Sequence, residues 1–157
     1  MRRPLTNHPK TVTIVSMPIN SDCNHPLPDT ARHGVELFNE GRYFEAHEAL
    51  ETAWRAEHRP IRLLYQGILQ VGVSYHHILR GNYSGALKVM ERALSCLEGL
   101  PDVCQGVRVD MLRRDASAAL AEMLRLGAAD LVRFDRRWMR PVHLNDTDME
   151  DSHAVQG

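Results

Sequence analysis

The chain has 157 residues, enough for one domain with a single buried core. Its hydrophobic share of 43% and charged share of 25% are ordinary for a globular protein. With 19 basic and 20 acidic side chains the net charge is −1, so the basic excess expected of a nucleic-acid or anionic-membrane partner is missing.

Pro4, Pro9, Pro18, Pro26 and Pro28 preclude a long helix in residues 1–28, which are expected to form an irregular arm. Thr11 to Met17 alternates weakly and suits an edge strand or an arm lying on the body. Met1-Arg2-Arg3 is not expected to open an export signal, because Pro4, Asn7, His8, Pro9 and Lys10 stand where an apolar run would have to begin. The helical domain is expected over 29–127. Asp29 or Thr30 can cap a first helix carrying Val35, Leu37 and Phe38, and Gly41 suits its left-handed stop. A second helix runs from about Tyr43 to Ala56 and breaks before Pro60. The third spans Ile61 to Leu79. Its uncharged run is shorter than the roughly 20 apolar residues of a membrane span, and Gln66, Gln70, Ser74, His76 and His77 interrupt it. It reads as a buried helix. Gly67 and Gly72 weaken it, and close approach of another helix is the expected compensation. A fourth helix starts near Ser84 and stops around Gly99-Leu100-Pro101. A fifth, capped by Asp110, stops at Gly127. Residues 128–144 are expected to pack on the body as an extension, and the polar, acidic stretch 145–157 to be a disordered tail.

Gly41-Arg42-Tyr43-Phe44-Glu45-Ala46 and Gly81-Asn82-Tyr83-Ser84-Gly85-Ala86 share the pattern G-x-Y-x-x-A, forty positions apart. Each marks a helix stop, a turn at Gly and a helix start. The expected fold is therefore all-α, a compact bundle of about five helices arranged as two antiparallel hairpins plus a C-terminal helix. Cys23, Cys96 and Cys104 are odd in number and lack CxxC spacing. They read as unreactive thiols in a reducing cytoplasm, the expected location.

Chemistry-bearing residues concentrate on the second and third helices. At about 100° per residue, His47 falls beside Trp54 at the edge of the apolar arc, with Glu51 one turn above it. On the third helix Gln66, Gln70 and His77 occupy a narrow arc where a solvent face would carry Lys or Glu. If the hairpins pack antiparallel, this arc can face His47 and Glu51 across a polar pocket. His47, Glu51 and His77 would then be candidate ligands of a divalent metal such as zinc, with Glu48 the candidate general base. Tyr43, Trp54, Gln66 and Gln70 are the candidate contacts for a small-molecule ligand. The plainer alternative is structural: His47 and Glu51 form an i,i+4 pair, and the amides satisfy partners at a helix crossing. HExxE lacks the second His of the zincin motif. Arg113-Arg114 and Arg136-Arg137 read as solvated charges, and Tyr65 and Tyr75 as core.

Three segments together, FNEGRYFEAHEALETAWR (Phe38 to Arg55), LYQGILQVGVSYHH (Leu64 to His77) and RGNYSGALKVMERAL (Arg80 to Leu94), resemble a family catalogued as domain of unknown function 309. The resemblance covers about Ala31 to Leu126. It rests on Gly41, Tyr43, Phe44, Glu45, His47 and Glu48, on Gln66, Gly67 and Gln70, and on His77. It implies a helical bundle and carries no activity. The leading expectation is a non-catalytic or ligand-binding helical domain with a polar pocket between the second and third helices, where a small ligand or a metal could sit. A metal-dependent hydrolase and a protein-interaction module are the alternatives, and the expected partners are a small molecule or a second copy, with no nucleic acid and no membrane.

Overall fold

The computed structural model describes residues 19–145. The expected edge strand over Thr11 to Met17 lies outside them, as does the acidic stretch beyond Asn145. Between Asp29 and Leu126 five α-helices succeed one another: α1 (Asp29–Asn39), α2 (Tyr43–Ala56), α3 (Arg62–Leu79), α4 (Tyr83–Glu98) and α5 (Val109–Leu126). The fold is all-α, with α1–α2 and α3–α4 as the two hairpins, α2 packed on α3, and α5 on α4.

The repeated G-x-Y-x-x-A pattern builds the same turn twice. Gly41 (φ 81°) and Gly81 (φ 73°) take the left-handed conformation. Around Gly41, the Arg42 amide donates to Leu37 and the Gly41 amide to Phe38, both at 2.9 Å; around Gly81, Asn82 donates to His77 (2.9 Å) and Gly81 to Ile78 (3.0 Å). This is the Schellman closure, which satisfies orphan carbonyls at a helix end and reverses the chain. Ala46 and Ala86 then sit in equivalent places, 1% and 0% exposed.

α3 is the central helix, with Leu64, Tyr65, Ile68, Val71 and Tyr75 all fully buried. Its glycines are the points of closest approach. A Cβ on Gly67 would lie 2.5 Å from Leu97 Cδ2 of α4, and one on Gly72 would lie 3.2 Å from Phe38 Cδ2 of α1. The expected compensation for two helix-weakening residues is thus present.

Several local expectations change. Pro28, not Asp29 or Thr30, occupies the N-cap of α1, and no side chain caps it; Asp29 sits in the first turn, where its charge suits the helix dipole. Asn82, two residues before Ser84, caps α4 by accepting the Gly85 amide at 2.9 Å. α5 starts at Val109 behind Arg108, and Asp110 pairs with Arg108 at 2.8 Å instead of capping. Arg113 is not a solvated charge. Its Nη1 donates to the carbonyls of Leu97 and Leu100, both at 3.0 Å, closing the end of α4.

A two-stranded hairpin, β1 (Val103–Cys104) and β2 (Val107–Arg108), is not expected from the sequence. Gln105 (φ 50°) and Gly106 (φ 80°) form its turn, both left-handed as a type I′ connection requires. Gln105 is held there by three contacts. Its side chain accepts from Tyr65 Oη (2.7 Å) and donates to the Asp22 carbonyl (3.2 Å), while its amide donates to the Cys23 carbonyl (2.7 Å).

Those contacts dock the arm, and Cys23 and Cys104 join it covalently as a disulfide with Cα atoms 4.3 Å apart. The expectation of three free thiols is corrected; Cys96 alone is free among the described residues. The pair is invisible in the sequence because its members are 81 positions apart and only the tertiary fold brings them together. The cysteines therefore do not point to a reducing compartment. At the other end, Val142 and Asn39 exchange two hydrogen bonds (3.0 and 2.8 Å), and Leu144 bridges to Val107.

Candidate functional site

The turn at Gly41 delivers Tyr43 to the first position of α2, beside the C-terminal half of α3. Between the two helices opens a cleft of about 200 Å³ lined by Tyr43, Phe44, His47, Val73, His76 and His77. Tyr43 forms its floor. It is 8% exposed and packs edge-on against Phe38 and Tyr75, with centroids 5.3 and 5.5 Å away. Burial raises the Tyr43 hydroxyl above the usual phenol range, so it is a neutral donor or acceptor. Phe44, 58% exposed, forms the rim. Its ring runs nearly parallel to His47 (26°, centroids 6.3 Å apart) and lies 6.0 Å from His76.

Glu51 orients the His47 imidazole. The expected i,i+4 pair is present, with Nε2 of His47 3.4 Å from Oε2 of Glu51, whose other oxygen accepts from Arg55 at 2.9 Å. Nδ1 of His47 is buried and meets no hydrogen-bonding group of the described residues. In the tautomer that keeps its proton on Nε2, the nitrogen facing Glu51, Nδ1 carries the ring's unshared pair. His76 is held below the usual imidazole range, first by burial and then by Arg80 and His77, which favours its neutral form. Nδ1 of His77 meets Asn82 Nδ2 at 3.3 Å, which fixes the ring from the α3–α4 turn.

The eight candidate residues divide. Tyr43, His47 and His77 come together in the cleft. Glu51 stands behind His47 as its orienting group. Gln66 and Gln70 are half-buried on α3 but do not line the cleft, and Gln70 Oε1 faces Cys96 Sγ of α4 at 3.8 Å. Trp54, also half-buried, lies beyond the cleft, under the Arg62 guanidinium at 4.1 Å. Glu48 opens onto a different depression, with His33, Leu37, Arg42, Glu45, Ala49 and Thr52, on the α1 side of α2. One position along the helix turns it about 100° from His47, so it has no access to the cleft as a base.

Among the described residues no group of three His, Cys, Asp or Glu side chains is placed to hold a metal ion. Phe44, Val73 and His76 are cleft residues that the sequence does not mark as ligand contacts. Helical phase turns His76 away from His77, yet the cleft is wide enough to take both rings. Among the described residues no helix is long and apolar enough to cross a membrane.

Residues 31–89 match the model of a family described as a domain of unknown function (DUF309), which bears out the resemblance over α1, α2, α3 and the first part of α4. A relative, an uncharacterised protein of Aquifex aeolicus (strain VF5), is 27% identical over 77 residues, 48% of this chain. The match covers 23% of that protein, so the chain corresponds to about a quarter of its length. The cleft residues from Tyr43 to His77 all fall inside the family match.

Proposed function

We propose that this DUF309 segment binds a small, weakly polar organic ligand in the cleft between α2 and α3. The supporting observation is an imidazole fixed on one side by Glu51 and left without a partner on the other, at a cleft walled by Phe44, His76 and His77. Aromatic and imidazole faces favour a planar group, and Nδ1 of His47 offers an acceptor to a ligand N–H or O–H. At about 200 Å³ the cleft is smaller than the roughly 300–1,000 Å³ pockets of drug-sized ligands. A single ring with one or two polar atoms suits it.

A divalent metal is the second reading, because His47 and His77 line the same cleft and Glu51 already touches His47. It requires Glu51 to leave Arg55 and all three side chains to converge to about 2 to 2.2 Å from one ion.

The test is a screen of single-ring fragments and of zinc, monitored through side-chain ¹H–¹³C signals of Phe44, His47, His76 and His77. Ring fragments should shift these signals together and saturably, with at least about tenfold weaker binding in His47→Ala. Saturable zinc binding at His47 and His77 with no fragment binding would replace this reading by the metal one. No response to either class at millimolar concentration would leave the cleft as packing only and refute both.

A further inference from the structure

At the far end of the same helix pair, where α2 ends and α3 begins, Arg62 lies over the Trp54 ring, its guanidinium carbon 4.1 Å from the ring centroid. We propose that Arg62 and Trp54 form an oxyanion-binding site that takes a carboxylate or phosphate group, separate from the α2–α3 cleft.

Three observations carry this. First, Arg62 has no acidic partner among the described residues, although two carboxylates lie close in sequence. Both are committed elsewhere. Glu51 is held by Arg55 (2.9 Å) and His47 (3.4 Å), and Glu57 by Arg59, whose Nε and Nη2 donate at 2.9 and 3.0 Å. The charge of Arg62 is therefore uncompensated where its neighbours are all paired. Second, Arg62 Nε and Trp54 Nε1 are both buried and without an acceptor among the described residues. Two orphaned N–H donors lie on one stacked pair, and one acceptor group with two oxygens can serve both. Third, contact with the Trp54 ring restrains the guanidinium, whose Nε–H has no acceptor among the described residues. A guanidinium so held loses little freedom when it grips a planar or tetrahedral oxyanion by two parallel hydrogen bonds. An isolated ring–cation contact accounts for the stack but leaves both N–H groups unsatisfied.

Of the charges neighbouring in sequence, Arg55 is spent on Glu51, and Arg59 is shared between Glu57 and Asp22, which leaves that cluster one carboxylate in excess. An incoming anion is therefore attracted by Arg62 alone. The shared chemistry is an oxyanion; its source, carboxylate or phosphate, is separated by the choice of probe.

The test uses the full chain carrying Trp138→Phe, so that Trp54 is the sole tryptophan. Inorganic phosphate and sodium acetate are titrated separately against sodium chloride at equal ionic strength. The readouts are the Trp54 Nε1–H and Arg62 Nε–H signals in a ¹H–¹⁵N spectrum. Phosphate, acetate or both should move the two signals together and saturably, beyond the chloride control, and whichever binds more tightly identifies the source. Arg62→Gln should weaken that binding at least about tenfold. Arg62→Lys, which keeps the charge but loses the flat fork, should recover less than half of the difference. Shifts that match chloride, or binding that survives Arg62→Gln unchanged, would overturn the proposal. Should Arg62→Gln fail to fold by circular dichroism, the two wild-type signals decide it, since no anion-specific movement of either also overturns it.

Discussion

Removing the Cys23–Cys104 bond tests the docking of the arm most directly. The bond closes a loop between positions 81 apart. In the chain-entropy model a loop of that length restricts the unfolded ensemble by about 4.5 kcal/mol at 25 °C, an upper value because unfolded chains retain some structure. The native contacts of the arm persist without the bond: Gln105 still donates to the carbonyls of Cys23 and Asp22, and Arg59 still pairs with Asp22 at 3.2 Å. The double variant Cys23→Ala/Cys104→Ala should therefore fold, with unfolding free energy lower by about 2–4 kcal/mol in urea titrations. Wild-type protein treated with a phosphine reductant should behave alike. Thiol titration of unfolded protein should find one reactive group before reduction, Cys96, and three after it. Three thiols in protein prepared without reductant, or a stability change below about 0.5 kcal/mol on both routes, would refute the covalent clasp.

Gly67→Ala forces a methyl to 2.5 Å from Leu97 Cδ2 in a fully buried contact, and overpacking of about 1–3 kcal/mol should outweigh the ~1 kcal/mol gain in helix propensity. Gly72→Ala, with its nearest neighbour at 3.2 Å, should cost less; a thermal scan of both variants checks the order. Arg113→Ala removes a charged donor from the carbonyls of Leu97 and Leu100 and should destabilise by about 2 kcal/mol in urea, whereas Arg133→Ala, at an exposed position, should stay within about 0.5 kcal/mol. His76 has its imidazole pKa lowered in the folded state, so the unfolded chain binds the extra proton first. Its contribution is present above the ordinary imidazole pKa near 6.5 and declines as pH falls below it; His76→Phe should flatten the stability–pH profile just below about pH 6.5.

The features legible in the sequence are periodic or local. The limits of α2 come from the apolar arc starting at Tyr43 and the break before Pro60. The two Schellman turns come from Gly, because only a residue without a Cβ takes φ near +80° cheaply. Asn82 and Ser84 are both good capping types, and Asn82 wins the N-cap because the preceding closure at Gly81 fixes where the chain re-enters helix. The β-hairpin is hidden because Gln-Gly is a weaker turn signal than Asn-Gly. The strain at Gln105 is tolerated through its contacts with Tyr65, Asp22 and Cys23, none of them near it in sequence. Arg113 resembles a solvated charge for a similar reason. Its partners belong to the preceding helix end, and a basic side chain on an exposed arc looks the same whether or not carbonyls wait beneath it.

The candidate site divides along the same line. Helical phase alone brings His47 and Glu51 together and turns Glu48 away, since those relations lie within one helix. The expected partnership of Gln66 and Gln70 with His47 depends on how α3 is rotated against α2, which no single-helix wheel contains. Close packing of Gly72 on Phe38 and of Gly67 on Leu97 sets that rotation. It directs Gln70 to Cys96 on α4 and brings Val73 and His76 to α2 instead. The glycines, weak points of the helix by propensity, therefore select which polar residues of α3 can meet His47. Filling the Gly67 contact should disturb the cleft on the opposite side of α3 as well as the core. In Gly67→Ala the side-chain signals of His76 and Val73 should move although neither touches the new methyl. Unchanged signals in a variant that is nonetheless destabilised would show that α3 absorbs the strain locally and that its rotation is fixed elsewhere.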